Sequence, residues 1–326
     1  VRVAAIVVNW RQSQLTSRAV RSLEAQQGLG AATLRIVVVD NGSGDGSAAE
    51  LADRHPEHLV LPLATNGGFA AGVNAGIRAA DAEGAADTYV LLNNDAVAEP
   101  GAVAALVEEL AGHPDAAAVT ARIVLAASPD GVERLNSTGN ELTRTGNGRD
   151  RDWLRPVADD DRPAGEVAGF SGGAAALRAE ALRAVGGFDE SLFMYYEDSD
   201  LSWRLRRAGW SIRYSPAATV RHDHAASSGT GSDLFRFYND RNRIVISLRH
   251  LPARVVLRAI ARTVVRAGRA TVQGLRRADA RHEAARTWRA VGSALVAAPT
   301  ALALRRRLDR TAVVPRSALA ATLVAD

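Results

Sequence analysis

The chain opens on a continuous apolar run, Val3-Ala-Ala-Ile-Val-Val-Asn9, as a strand buried on both faces requires. Leu15, Ala19, Val20 and Leu23 then recur at helical spacing between Gln14 and Gln27. Leu34 to Val39 reads as a second buried strand. It ends in Asp40-Asn41-Gly42-Ser43-Gly44-Asp45-Gly46, a turn rich in residues that accept unusual backbone angles. Leu59 to Leu63 predicts a short third strand, Phe69 to Ala80 a helix, and Tyr89 to Leu92 a fourth strand. Pro100 opens the next helix, because proline suits a first helical turn. Strands alternating with helices predict an α/β fold with a parallel, or mostly parallel, sheet and helices on both faces. From Ala126 to Glu166 the pattern weakens into Gly, Asn, Asp and Arg, as in a long functional loop or irregular insert. Regularity returns at Val167 to Leu177. A helix follows at Ala179 to Val185, another near Glu197, and a strand at Ser211 to Tyr214. After about Ser232 the chain reads as helices to its end.

Composition narrows the picture. The 326 residues suit one large α/β domain with an appended element. The longest apolar stretch, Ala290 to Leu304, is too short to span a bilayer and is interrupted by Pro299. The chain enters directly into a strand and reads as lacking a signal peptide. It has no cysteine, so disulfides and thiolate metal sites are excluded, and cytoplasmic residence is the expectation. Every basic residue is arginine, a bias that warns against reading single arginines as phosphate binders. Their distribution says more: Leu248 to Asp326 carries 16 Arg and 4 acids, a net +12, whereas the rest is net −8. An acidic body with a basic tail points the tail toward something anionic.

In open α/β sheets ligands bind beyond the carboxyl ends of the strands. Those ends carry Asn9, Asp40 and Asn93-Asn94-Asp95. A strand-end Asp can accept from a base or ribose, or simply close an Asx-turn. No G-x-G-x-x-G follows the first strand and no Walker motif is present, which removes dinucleotide-binding and P-loop readings. Asn66-Gly67-Gly68-Phe69 precedes a helix containing Asn74; its glycines and helix entrance suit a phosphate. The Asn93-Asn94-Asp95 cluster can hold Mg2+ or Mn2+, with further ligands from elsewhere. Glu197, Asp198 and Asp200 stand at a helix start, where acids complement the dipole. Asp200 and Arg204 form an ordinary i, i+4 surface pair on this reading. Met194, Tyr195 and Tyr196 beside Asp198 would lower its hydration and make a general base. His222 and His224 lie in a polar segment and offer imidazole ligands. No H-E-x-x-H pattern supports zinc hydrolysis.

Taken in order, these segments resemble family 2 glycosyltransferases, and within them the rhamnosyltransferase-like branch. The phrases are Ile6-Val7-Val8-Asn9-Trp10, Val39-Asp40-Asn41-Gly42-Ser43, Asn66-Gly67-Gly68-Phe69-Ala70 with Asn74, Leu92-Asn93-Asn94-Asp95, and Gly186-Gly187-Phe188-Asp189-Glu190 running into Tyr196-Glu197-Asp198-Ser199-Asp200-Leu201. The match covers about Val3 to Arg249. It implies a GT-A fold, a nucleotide-diphospho-sugar donor, a divalent cation and an inverting transfer to an acceptor hydroxyl. Asn9, Asp40 and Asn41 would line the base and ribose; Asn66, Gly67, Phe69, Asn74, Asn93 and Asn94 would complete the donor site. Asp95 and His222 would hold the metal, with His224 in reserve. Asp198 would be the base, and Gly172, Gly173 and Glu197 would border the acceptor. Asn93 stands where the family's D-x-D motif has its first acid, which removes a charge and places more weight on the second ligand.

The resemblance divides the chain into a catalytic domain, 1–249, and a basic helical region, 250–326. It further implies dTDP-rhamnose, or another dTDP- or UDP-hexose, as donor, and a cell-envelope or polyprenyl-linked glycan as acceptor. In the tail, Arg254, Arg258, Arg262, Arg266 and Arg269 form one helical stripe beside Val255, Val256, Leu257, Ile260, Val264 and Val265. A basic amphipathic helix reads as peripheral attachment to an anionic inner membrane face; packing on the catalytic domain or forming a homo-oligomer is the other reading. Nucleic acid is not expected, because recognition features are lacking. A sugar-1-phosphate nucleotidyltransferase and a non-catalytic sugar-nucleotide sensor stand as rivals. The first would need a Gly-rich basic loop after the first strand, which Trp10 to Thr16 does not offer.

Overall fold

Alternate side chains of the first strand go to opposite faces, and each face meets its own helices. β1 (Arg2–Asn9) sends Val3, Ala5 and Val7 into one core and Ala4 and Ile6 into another. The computed structural model describes residues 1–126, 130–223 and 232–326. After β1 come α1 (Ser13–Glu24), β2 (Thr33–Asp40), α2 (Ser47–Arg54), β3 (Leu59–Pro62), α3 (Gly68–Ala82), β4 (Thr88–Leu92), β5 (Ala96–Ala98), α4 (Ala102–Gly112) and β6 (Ala116–Leu125). The irregular stretch contains β7 (Leu135–Ser137), β8 (Asn140–Leu142), β9 (Gly148–Asp150) and β10 (Gly165–Glu166). Then follow β11 (Ala174–Arg178), α5 (Ala179–Val185), α6 (Glu197–Arg207), β12 (Ser211–His222), α7 (Asp233–His250), α8 (Ala253–Gly274), α9 (Ala278–Thr311) and α10 (Arg316–Leu319).

The main sheet runs β10-β12-β6-β11-β4-β1-β2-β3, with β5 on β12 and β7 on β6. Neighbours from β3 to β4 are parallel, β11 is antiparallel to both β4 and β6, and β12 is parallel to β6. The sheet is therefore mixed, and the carboxyl ends of β1, β2, β4, β6 and β12 share one edge. Helices α1 and α4 cover one face through Val20, Leu23, Val103 and Leu106; α3, α5 and α6 cover the other through Val73, Leu182, Leu201 and Leu205. Three differences from the sequence reading matter. The ten-residue β6 escaped notice because it opens on three alanines, which carry little strand preference. β12 continues eight residues past Tyr214, so His222 ends a strand rather than lying in a loop. Pro299 sits inside α9 without ending it; the carbonyl it leaves unpaired, that of Leu295, is at an exposed position.

The basic region is not a detached appendage. A third core joins Ile244, Val245, Leu251, Val255, Val291 and Ala294 of the C-terminal helices and the α7–α8 link to Tyr196 and Trp203 beside and within α6. Arg207 of α6 binds Asp309 of α9 at 2.8 Å, and the backbone N–H of Val313 donates to the Arg207 carbonyl. The expected boundary at 249 thus falls inside a shared core.

Candidate active site

The register of β1 on β2 sets Asn9 opposite Asp40 at the sheet's carboxyl edge. Asn9 Nδ2 donates to Asp40 Oδ1 (2.7 Å), and its Oδ1 accepts from Thr16 Oγ1 (2.7 Å). Ser43 Oγ also donates to Asp40 Oδ1, and the Ser43 N–H to Oδ2. Asn41 turns the other way: its Nδ2 reaches Asn66 Oδ1 (3.1 Å) and the Gly68 carbonyl (3.0 Å), while its Oδ1 accepts from the Gly67 N–H. Gly42 and Gly68 are held at φ +66° and +84°; a Cβ on either would collide with backbone, at Thr65 and Phe193 respectively. Asn94 reaches Gln12 and Thr16, so the fourth strand joins this cluster. Asn74 does not face the cluster: its amide pairs with the backbone N–H and carbonyl of Phe188 and with Glu190. It anchors the 186–190 loop.

Antiparallel pairing of β12 with β5 puts His222 opposite Ala96, and so beside Asp95. His222 Nε2 lies 3.0 Å from Asp95 Oδ1 and 3.4 Å from Asn93 Nδ2. Its Nδ1 lies 2.5 Å from Asn136 Oδ1. With Nδ1 donating to Asn136, Nε2 presents a lone pair to a carboxylate oxygen. Such orientation of the ring by an outer partner is typical of metal-binding imidazole. An oxygen and a nitrogen donor fit Mn2+ or Mg2+, with imidazole favouring Mn2+. His224, the reserve ligand, lies outside the described residues.

The acids of α6 follow a strained approach. Phe193, Tyr195 and Tyr196 all have φ between 63° and 70°, unusual for bulky side chains. Asn242 of α7 holds this turn, its Nδ2 within 2.9 Å of the carbonyls of Leu192, Met194 and Tyr195. Asp198 then accepts from Asn140 Nδ2 (2.5 Å), the Gly172 N–H (3.1 Å) and the Ser199 N–H (2.6 Å). Gly172 lies between Phe69 and Asp198, and the Gly173 carbonyl accepts from the Asn93 N–H, so one segment links the α6 acids to the Asp95 cluster. Burial raises Asp198 above the usual carboxylate range, against those hydrogen bonds. Burial, then the charge of Asp198, pushes Glu197 much higher, and Glu197 Oε2 is buried without a hydrogen-bond partner. Of the two, Asp198 has the donors that stabilise an anion and is the more readily ionised.

Asp200 corrects the sequence reading. It is no surface residue but fully buried, bound by Arg204 (2.7 Å), Arg249 (3.0 Å) and His250 (2.8 Å). Burial opposes its ionisation, yet Arg204, His250 and Arg249 together hold it far below the usual range. Arg204 also donates to the carbonyls of Val185, Gly186 and Gly187. The network joins α6 to α7 and the 186–190 loop.

Asp150 went unremarked in the sequence. It ends β9, in register with Asn140, and burial pushes it up to about 6; Ser137 opposes the shift, the charge of Asp198 adds to it, and that of His222 lowers it. Asn136, Ser137, Asn140 and Asp150 all come from the stretch read as irregular. No local motif marks them; only β7, pairing with β6, and the separate β8–β9 pair bring them in.

The family model described as "Glycosyltransferase like family 2" matches residues 1–245. The N-acetylglucosaminyl-diphospho-decaprenol L-rhamnosyltransferase of Mycobacterium tuberculosis is 32% identical over 216 residues, covering 60% of this chain and 68% of that protein. The pre-mycofactocin glycosyltransferase of the same species is 33% identical over 196 residues, 59% of this chain and 38% of its own. Among solved structures, GalNAc-T7 with UDP, GalNAc and Mn2+ superposes with TM-score 0.60 at 15% identity, over 78% of this chain and about half (48%) of that one. A Pyrobaculum calidifontis mannosyltransferase with GDP-Man and Mn2+ gives 0.51 at 17%, over 91% and 86%. At such identities the structures speak for the fold, which is GT-A. The chain belongs to the family 2 glycosyltransferases, and it is a glycosyltransferase.

Proposed function

We propose that this enzyme transfers a hexose, with inversion, from a nucleoside-diphosphate sugar to a hydroxyl of a polyprenyl-linked or cell-envelope glycan. One observation carries the reading: a carboxylate supplied with anion-stabilising donors, Asp198, is joined through Gly172-Gly173 to the Asp95–His222 pair at the same sheet edge as the Asn9–Asp40–Asn41 cluster. Asn9, Asp40, Asn41, Asn66 and Gly67 would receive the nucleoside and ribose, with Phe69 and Asn93 near the sugar. Asp95 and His222 would hold Mn2+ or Mg2+, which when bound neutralises charge on the leaving diphosphate. Asp198 takes the acceptor's proton. The freed oxygen pair forms a bond to the anomeric carbon while the bond to the diphosphate breaks, its electrons leaving with the diphosphate. A single displacement inverts the centre. Glu197 borders the acceptor beside Asp198, and its upward shift disfavours a second negative charge there. Asn74 acts by holding the 186–190 loop.

The Mycobacterium tuberculosis relative, named as a rhamnosyltransferase acting on N-acetylglucosaminyl-diphospho-decaprenol, supports dTDP-rhamnose and a polyprenyl-linked acceptor here. The test is transfer from dTDP-rhamnose to a polyprenyl-diphosphate-linked sugar with Mn2+, the product linkage being read by NMR. Transfer with inverted anomeric configuration is expected; retention would overturn the single-displacement account. Thermal shifts with dTDP, UDP and GDP, each with and without Mn2+, identify the base, because a ligand that binds only the folded state raises its stability.

A further inference from the structure

The outer side of the C-terminal helices presents apolar residues that no other described part of the chain covers. On α8 and at its C-cap, Leu257, Ala261, Val265, Val272 and Leu275 are exposed, at spacings that return to one side of the helix. On α9, Trp288, Leu295, Val296, Pro299 and Leu302 are exposed likewise. Leu275, Val296 and Leu257 are 81%, 82% and 68% accessible, values unusual for large aliphatic side chains. Trp288 Nε1 donates to Thr271 Oγ1 (3.1 Å), which ties the two helices together at this edge and makes the two stripes neighbours.

Charge surrounds the apolar strip. Between Arg289 and Arg305, α9 carries no charged residue; Arg306, Arg307 and Arg310 follow on its exposed side. Exposed Arg254, Arg258 and Arg269 on α8, and Arg276 in the turn after it, border the strip. Not every tail arginine is available: Arg266 pairs with Asp240, Arg262 reaches Thr145, Arg286 pairs with Asp233, and Arg305 donates to the Leu248 and Leu251 carbonyls. Val255 and Val256, expected to be part of the outward apolar surface, are buried. What remains outward is an apolar strip with an arginine border. No helix among the described residues is long and apolar enough to cross a membrane.

We infer that the α8–α9 face docks on the surface of an anionic lipid bilayer, with Leu257, Leu275, Leu295 and Val296 entering the headgroup boundary and the arginine border meeting lipid phosphates. Apolar area and cationic charge add in such binding, and neither alone holds a protein firmly. A protein partner would need matching acids around an apolar ridge; a phosphatidylglycerol surface supplies anionic headgroups above acyl chains without further design. This inference is independent of the proposed reaction, so its failure leaves the active-site account intact.

The test is flotation of the full chain with vesicles of equal parts phosphatidylglycerol and phosphatidylcholine, and with phosphatidylcholine alone. Co-flotation with the anionic vesicles only, weakened by salt, is expected. Replacing Arg258, Arg269, Arg306 and Arg307 by Gln should lower binding by about 10²-fold or more. The Leu257→Asp/Leu295→Asp variant should lose it, and unchanged thermal melting of both variants would show that folding is preserved. Absence of co-flotation with anionic vesicles overturns the inference, as does a Leu257→Asp/Leu295→Asp variant that floats like the parent. A protein that ignores vesicles but sediments as a dimer, dissociated by that same variant, would assign the face to a second copy of the chain.

Discussion

At the ends of β1 and β2 the polar side chains satisfy one another: Asn9, Thr16, Asp40 and Ser43 form one hydrogen-bonded group, Asn41, Asn66 and the Gly67–Gly68 backbone a second. Across the sheet, where β8 and β9 meet α6, buried and half-buried carboxylates lie near one another, and Asp150, Glu197 and Asp198 all lie above their ordinary range. The first region is a preformed mould. The second holds unfavourable electrostatic energy that a proton or cation relieves. Asp200, two residues after Asp198 on the same helix, is the counterexample within that second region: more deeply buried than Asp198, it has three cationic or hydrogen-bonding partners and lies far below the usual range. Burial alone does not decide a carboxylate's state; the partners do.

The largest effect is expected at Asp200. Asp200→Ala leaves Arg204 and Arg249 buried without their shared anion and should cost about 3–5 kcal/mol in chemical denaturation. A loss under about 1 kcal/mol would mean that the network is not a strut. Next, Asn136→Ala frees the His222 ring and should weaken Mn2+ affinity about 10- to 100-fold by calorimetry; unchanged affinity would remove Asn136 from the metal account. The smallest effect is at Asp150. Its folded pKa, about 6, is raised, so its ionised form destabilises the metal-free protein, and that cost grows as pH rises from the unfolded value near 4. Asp150→Asn should therefore stabilise the metal-free protein by about 1–2 kcal/mol above pH 6 and have little effect below roughly pH 4. Equal effects at both pH values would refute the assignment.

The polar clusters at the strand ends are legible because they are local. Buried strands end where apolar runs end, and Asn9, Asp40 and Asn93-Asn94-Asp95 stand at those ends. The helix beginning at Glu197 and the helix Ala179–Val185 were also visible in the spacing. The surroundings of Asp198 and Asp200 are not, because their parts come from distant positions. Asn140 reaches Asp198 across 58 positions, and Arg249 and His250 reach Asp200 across about 50. Asp200 with Arg204 has the spacing of a surface pair, and nothing local announces that α7 will cover it. Asn74 shows the converse: a residue inside a recognisable phrase whose side chain serves a loop.

The central claim is that Asp198 is the base, acting beside a donor site built independently of it. Asp198→Asn keeps the shape and removes the negative charge. The account predicts nucleotide-sugar binding within about twofold of the parent and turnover lower by about 10²-fold or more, while the parent's turnover falls with an acid limb above the usual carboxylate range. Near-normal turnover in Asp198→Asn, with donor binding intact, would contradict it.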